Sequence, residues 1–257
     1  MLPAFYTDDD AGIPLLLCHA FPLNAAMWEA QRHSLAEYCR MITFDLPGFG
    51  RGGPAVPSMS MRDCADMAVA LLDHLGIEKA IIGGCSMGGY IALAVLRHHP
   101  GRVLGLLLAN TRASADSDEG KSGRMEQIAR IGDGGLALVL DGLLPRLVGE
   151  STKEVAPEVV TLVRELSRTA TAEGCMAMLR AMAEREDSRA LLSSCRMPVC
   201  SIGGAEDMLI PAAEAEQIAA LAPESELHVI PNAGHLSNLE RPVRFAIAVR
   251  HFLSRFS

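Results

Sequence analysis

No C-x-x-C pair occurs in the 257 residues, and the seven cysteines, at 18, 39, 64, 85, 175, 195 and 200, are odd in number and scattered. A disulfide framework or a zinc site would show paired, regularly spaced cysteines, so neither is indicated. Several cysteines sit in apolar runs ("LLLCHAF", "MPVCSIGG"), where the side chain behaves as a small hydrophobe. That usage suits a reducing compartment, and a cytoplasmic location is expected. The chain also lacks any Lys/Arg cluster. With a formal net charge of −8 it has no concentrated basic face for phosphates, which argues against a nucleic-acid partner. No apolar run approaches the length needed to span a bilayer. "TDDDAG" interrupts the opening residues where a signal peptide would need an apolar core. Internal repeats and low-complexity tracts are missing too.

What is present is a globular composition, 49 % hydrophobic and 21 % charged, in a chain long enough for one sizeable core. "PLLLCHAF" (14–21) reads as a buried strand and "NAAMWEAQRHSLAEY" as a helix; "CRMITFDLPGFGRGG" reads as a second strand breaking into a Pro/Gly loop. In "SMSMRDCADMAVALLDHLG", Met61, Ala65, Ala68, Leu72 and Leu75 recur at steps of three and four, predicting an amphipathic helix stopped by Gly76. Strand "KAIIGG", a helix ending near Pro100 and strand "RVLGLLLAN" follow. Such alternation predicts a parallel sheet covered on both faces.

Residues 112–188 break the alternation. They contain no convincing strand but four helical segments: "EGKSGRMEQIARIG", "GGLALVLDGLLPRLVG", "KEVAPEVVTLVRELSRTA" and "AEGCMAMLRAMAERE". The block is too long for a connection and is expected to be an inserted helical layer on a core made of 1–111 and 189–257. Alternation resumes with "MPVCSIGG", a helix near "PAAEAEQIAALA", strand "ELHVIPNAGH" and a last helix from "RPVRFAIAVRHFLSRF".

The chemistry-bearing stretch is "IIGGCSMGGYIALAV" (81–95). Gly84-Cys85-Ser86-Met87-Gly88 matches G-x-S-x-G between a strand and a helix, where a tight turn thrusts the serine Oγ above the sheet edge and only small neighbours fit. The match alone is weak, arising by chance in about one chain of this length in ten. A serine hydroxyl needs a base and an orienting acid. Asp207 in "GGAEDMLIP" and His235 in "NAGHLSNLERP" supply candidates, each in a loop just past a predicted strand. Such loops lie at the carboxyl edge of a parallel sheet, where its chemistry is presented.

Here the chain resembles the α/β-hydrolase family nearly end to end, with the small carboxylesterase and 3-oxoadipate enol-lactonase branch nearest. "HAFP" (19–22) is similar to its oxyanion loop, with Ala20 where glycine is usual, and "DLPGFGRGG" (45–53) to its D-x-P-G-x-G turn. "GCSMGG" matches the elbow, "GGAED" the acid loop and "NAGHLSNLERP" the histidine loop. The resemblance implies Ser86 as nucleophile, His235 as base then acid, and Asp207 as the group fixing the imidazole. It implies an oxyanion hole from the backbone N–H groups of Phe21 and Met87. It also implies a mobile cap over 112–188 and a reduced or absent opening hairpin, since only "MLPAFYTDDDAGI" precedes the first clear strand.

Each role has a competitor. Cys85 adjoins Ser86, although side chains diverge at a sharp turn. Glu206 is a carboxylate one residue before Asp207, and Asp45 is expected to brace its own loop. His19 is expected to bond backbone near the oxyanion loop, and the six remaining histidines to serve surface or packing roles. Trp28, the lone tryptophan, is either core filler or a wall of the acyl pocket and is carried as the substrate-binding candidate. The implied activity is hydrolysis of a small ester or lactone, with no metal or organic cofactor called for. Two alternatives stand beside it: cofactor-free perhydrolysis on the same three residues, and a ligand receptor on the hydrolase scaffold. "DLPGFGR" also resembles pimeloyl-carrier-protein methyl ester esterases, which would bring a protein partner.

Overall fold

Short runs of Leu, Ile and Val form most of one seven-stranded sheet in this computed structural model, which describes residues 1–256. In chain order the strands are β1 (Tyr6–Asp8), β2 (Pro14–Cys18), β3 (Arg40–Phe44), β4 (Ala80–Cys85), β5 (Val103–Ala109), β6 (Val199–Gly204) and β7 (Ser225–Ile230). They lie side by side as β1-β3-β2-β4-β5-β6-β7. Only the β1–β3 pair is antiparallel. Helices α1 (Glu29–Leu35), α2 (Met61–His74) and α3 (Met87–His98) precede β5. Between β5 and β6 the chain runs through α4 (Asp118–Arg130), α5 (Leu136–Leu143), α6 (Glu150–Val155), α7 (Pro157–Ser167), α8 (Ala172–Ala183) and α9 (Arg189–Ser194). Then come α10 (Ala212–Leu221), α11 (Ser237–Glu240) and α12 (Pro242–Leu253).

Strand side chains alternate between faces, and the cores divide accordingly. Leu16 and Cys18 of β2 join one cluster with Leu72 of α2 and Ile91 of α3. Leu15 and Leu17 join the other, with Phe245, Val249 and Phe252 of α12. Both faces of the sheet are therefore dry, which is why its strands read as continuous apolar runs. The start of α2 is fixed by a capping box in which Ser60 and Asp63 each accept the other's backbone N–H. Gly76, just past its end, takes the left-handed conformation that stops a helix (φ 67°).

Three local features depart from the sequence reading. β1 lies where no strand was expected: "YTD" is polar and short, and pairing with β3 alone makes it a strand. The opening hairpin is thus represented by this one edge strand. "KEVAPEVVTLVRELSRTA" is two helices rather than one, because the residue before a proline is barred from helical backbone; Ala156 sits at φ −144°, ψ 60°. α9 follows in a segment with no helical expectation. No helix among the described residues is long and apolar enough to cross a membrane.

Candidate active site

β4 ends at Cys85 and α3 begins at Met87, so one residue, Ser86, makes the whole strand-to-helix turn. It does so at φ 55°, ψ −114°, backbone that costs a non-glycine residue roughly 1–3 kcal/mol and persists only where its surroundings enforce it. They do. Ser86 N–H donates to Ala109 O at 2.9 Å, and Ser86 O accepts from Gly89 N–H at 2.9 Å and from Thr111 Oγ1 at 2.9 Å. The flanking glycines let backbones touch: a Cβ on Gly88 would lie 2.2 Å from Cys18 O, and one on Gly84 would lie 2.4 Å from the Gly88 carbonyl carbon. Gly88→Ala must push α3 off β2 and is expected to destabilise the fold by about 3 kcal/mol, roughly 6–12 °C in Tm by thermal unfolding.

The Ser86 side chain lines a cavity of about 490 Å³ together with Phe21, Tyr90, Leu179 and His235. Cys85 goes the other way. It is buried, its Sγ lies against His235 O at 3.5 Å, and burial pushes its thiol well above the ordinary cysteine value, with the nearby Asp207 and Glu240 charges adding to the effect. A thiol held protonated away from the cavity is no nucleophile.

Asp207 and His235 emerge from the loops after β6 and β7 and meet below that cavity. Asp207 Oδ2 and His235 Nδ1 are 2.8 Å apart, and both side chains are almost fully buried. The carboxylate has four partners: Leu209 and Ile210 N–H each donate to Oδ1 at 2.9 Å, and Asn110 Nδ2 donates to Oδ2 at 3.0 Å beside the imidazole. Burial alone would raise the Asp207 carboxyl. The charge and hydrogen bond of His235, with the Ile210 and Asn110 donors, outweigh burial and hold it below its ordinary value. An ionised Asp207 only accepts, so Nδ1 carries the proton and Nε2 is left as the acceptor nitrogen. Ser86 and His235 share the cavity wall without a hydrogen bond closed between them, as is common before substrate tightens such a site.

The rival carboxylate, Glu206, is occupied elsewhere: it accepts from Ser151 N–H at 2.9 Å and from the Ser151 hydroxyl, which hold its carboxyl low. Asp45 braces its loop, accepting from Ala25 N–H at 2.7 Å and Arg51 N–H at 2.8 Å. His19 is buried and bonds backbone on both sides, Nδ1 to Ala20 O at 3.0 Å and Nε2 from Leu46 N–H at 3.2 Å. Phe21 lines the cavity, and Met87 opens α3 beside Ser86.

Trp28 requires a correction. It is not on the cavity wall. Asn24 caps the Ala25–Trp28 turn by accepting from Ala26 N–H, and the turn swings the indole into the core against Phe245 of α12, ring centroids 6.0 Å apart with no surface exposed. The cavity lining is mixed: Leu143, Leu147 and Met182 line it, and so do Arg112, Arg124 and Arg146.

Two supporting residues escaped the sequence reading. Asn110 follows β5 at φ 46° and is buried, bonding Gly234 O at 3.1 Å and the Ser237 hydroxyl at 2.6 Å as well as Asp207. Glu240, also buried, accepts from the N–H groups on either side of His235 (Gly234 at 2.9 Å, Leu236 at 3.1 Å) and from Gly149 N–H at 2.8 Å and Thr152 Oγ1 at 2.6 Å. It ties the histidine loop to the helical segment.

A further carboxylate, Asp116, fixes that segment from the other side, with Arg185 at 2.7 Å and Arg124 at 2.5 Å. Here too burial would raise the carboxyl, and the two guanidinium groups outweigh it and lower it. Groups depressed in the folded state stabilise it above their unfolded value of about 3.9, and that contribution is lost as pH falls through the folded value. Acid unfolding followed by circular dichroism is therefore expected to set in below about pH 4, and Asp116→Asn should remove part of the pH dependence there.

A profile of the alpha/beta hydrolase family matches residues 15–249. The chain superposes with TM-score 0.94 on a thermophilic esterase from Thermogutta terrifontis solved with malate bound, at 39 % identity over 98 % of this chain and 93 % of that one. It is 28 % identical to 3-oxoadipate enol-lactonase 2 of Acinetobacter baylyi over 95 % of this chain and 89 % of the relative. It is 32 % identical to the dihydrolipoyllysine-residue acetyltransferase component of the acetoin cleaving system of Pseudomonas putida, covering 93 % of this chain but spanning only 63 % of that relative's length. With the sheet order, the single-residue elbow and the match from β2 to α12, the chain belongs to the alpha/beta hydrolase family.

Proposed function

We propose that the protein is a serine hydrolase of small carboxylic esters or lactones, working through an acyl-enzyme on Ser86. His235 Nε2 takes the Ser86 proton as Oγ attacks the carbonyl carbon. Asp207 holds the Nδ1 proton in place and balances the imidazolium that forms. The tetrahedral oxyanion is received by the N–H groups of Phe21 and Met87, at the positive end of α3. Collapse of the intermediate breaks the ester C–O bond, and the alcohol oxygen leaves with the proton from imidazolium. Water then repeats the sequence in reverse roles and releases the acid. Residues 112–188 serve as the cap, a reading supported by Arg124, Leu143, Leu179 and Met182 of this block lining one cavity with Ser86. Its mixed lining suits a short acyl or lactone substrate that carries a polar group.

The observation that carries this reading is that a turn-strained serine lines the same cavity as an imidazole whose far nitrogen is held by a four-bonded carboxylate. A panel of esters and lactones spanning acyl length tests it. Turnover is expected on short members, falling as chains outgrow the cavity. Tight binding across the panel with no released alcohol would favour a ligand receptor instead and overturn the proposal.

A further inference from the structure

Cys200 and Glu226 stand opposite each other in the register of β6 and β7, and His228 follows Glu226 by two residues, so all three project from one face of the sheet. It is the face covered by α12: Cys200 shares its core cluster with Phe245, Val249 and Phe252. α12 also carries His251 to this spot, its Nδ1 3.2 Å from Glu226 Oε2, while His228 Nε2 is 2.9 Å from Glu226 Oε1. The Cys200 sulfur and the donor atoms of Glu226 and His228 all lie within 4.8 Å of one another. We propose that Cys200, Glu226, His228 and His251 form a binding site for one borderline divalent transition-metal ion of the zinc and cobalt class, remote from Ser86 and independent of its chemistry.

The competing explanation is a carboxylate bridging two imidazoles by hydrogen bonds. In that network the buried Cys200 thiol also bonds Glu226, so one thiol and two imidazoles converge on a single carboxylate. One thiol, two imidazoles and one carboxylate are instead a full tetrahedral donor set, and sulfur with nitrogen selects zinc-like ions over magnesium or calcium. Bonds of about 2.0–2.3 Å place ligands around such an ion roughly 3.3–3.6 Å apart. The nitrogen–oxygen separations of 2.9 and 3.2 Å already fall close to this; the Cys200 sulfur lies within 4.8 Å of the Glu226 and His228 donors, and His251, which stands outside that group, must swing inward to complete the set. The site has an entry path, because the His251 side chain is 68 % exposed. Arg255, whose positive charge reaches Cys200, is turned onto Glu224 at 3.1 Å.

Binding involves no redox change: the Cys200 S–H bond breaks, the sulfur–metal bond forms, and the proton passes to solvent. Sequence spacing hides the site, since its donors come from positions 200, 226, 228 and 251 on three elements rather than from a close cysteine pair. An ion there would fasten α12 and the sheet-edge strand β7 to β6.

Titrating chelator-treated full-length protein with Co²⁺ tests the proposal. One equivalent should produce the visible absorption of four-coordinate cobalt and a near-ultraviolet thiolate-to-cobalt band, both bleached by Zn²⁺, and Zn²⁺ should raise Tm. Cys200→Ser should lose the thiolate band. His251→Ala, at a position exposed enough not to threaten folding, should weaken binding at least about tenfold, the loss that even an outer-shell partner produces, and abolish the Zn²⁺ effect on Tm. No band at one equivalent, or a band that both variants keep, overturns it.

Discussion

Ser86→Ala is expected to abolish ester hydrolysis, lowering kcat by about 10⁴- to 10⁶-fold, while circular dichroism and thermal unfolding should remain those of the parent. The size follows from the unit character of such sites: without the nucleophile, imidazole and oxyanion donors have no covalent intermediate to act on, and only residual catalysis from binding survives. The fold is spared because what holds the elbow is backbone. Ala109 O, Gly89 N–H and Thr111 Oγ1 all bond the main chain of Ser86 and would bond alanine equally. A variant that lost activity by unfolding would therefore contradict the reading as surely as one that kept activity.

Asp207→Asn should cost about 10⁴-fold in kcat, and Glu206→Gln less than about tenfold. The two carboxylates are adjacent in sequence but differ in what they hold. Asp207 bonds His235 Nδ1, whereas Glu206 bonds Ser151. An asparagine at 207 can keep the Leu209 and Ile210 N–H groups on its carbonyl oxygen, so the loop stays in place. Its amide then faces both Asn110 and the imidazole with a donor, favouring the tautomer that puts the proton on Nε2. That is the nitrogen needed as the base. Measuring kcat and KM for both variants separates the assignments, since the loss at Asp207 should fall on kcat with KM little changed.

Much of this arrangement was legible in the chain. Apolar strands alternating with helices, the glycine-flanked Ser86, and Asp207 and His235 just past their strands are all local patterns, and local patterns survive translation into structure. What was missed depends on contacts between distant segments. Asn110 and Glu240 look like ordinary loop and helix residues; their importance lies in hydrogen bonds to residues 97 positions away or in another layer. β1 is a strand only by pairing with β3. Trp28 shows the same limit from the opposite direction: its residue type left core filler and pocket wall both open, and the capped Ala25–Trp28 turn and packing on Phe245 place the indole in the core. Pro157, by contrast, did announce the break between α6 and α7, and the apolar periodicity on either side masked it.

A single oxygen, Ser86 Oγ, is expected to carry the acyl group. A fluorophosphonate probe followed by tryptic mass spectrometry measures this directly. One label per chain on Ser86, absent from Ser86→Ala and greatly slowed in His235→Ala, is the result expected; a label on Cys85, or labelling that persists in Ser86→Ala, would contradict it.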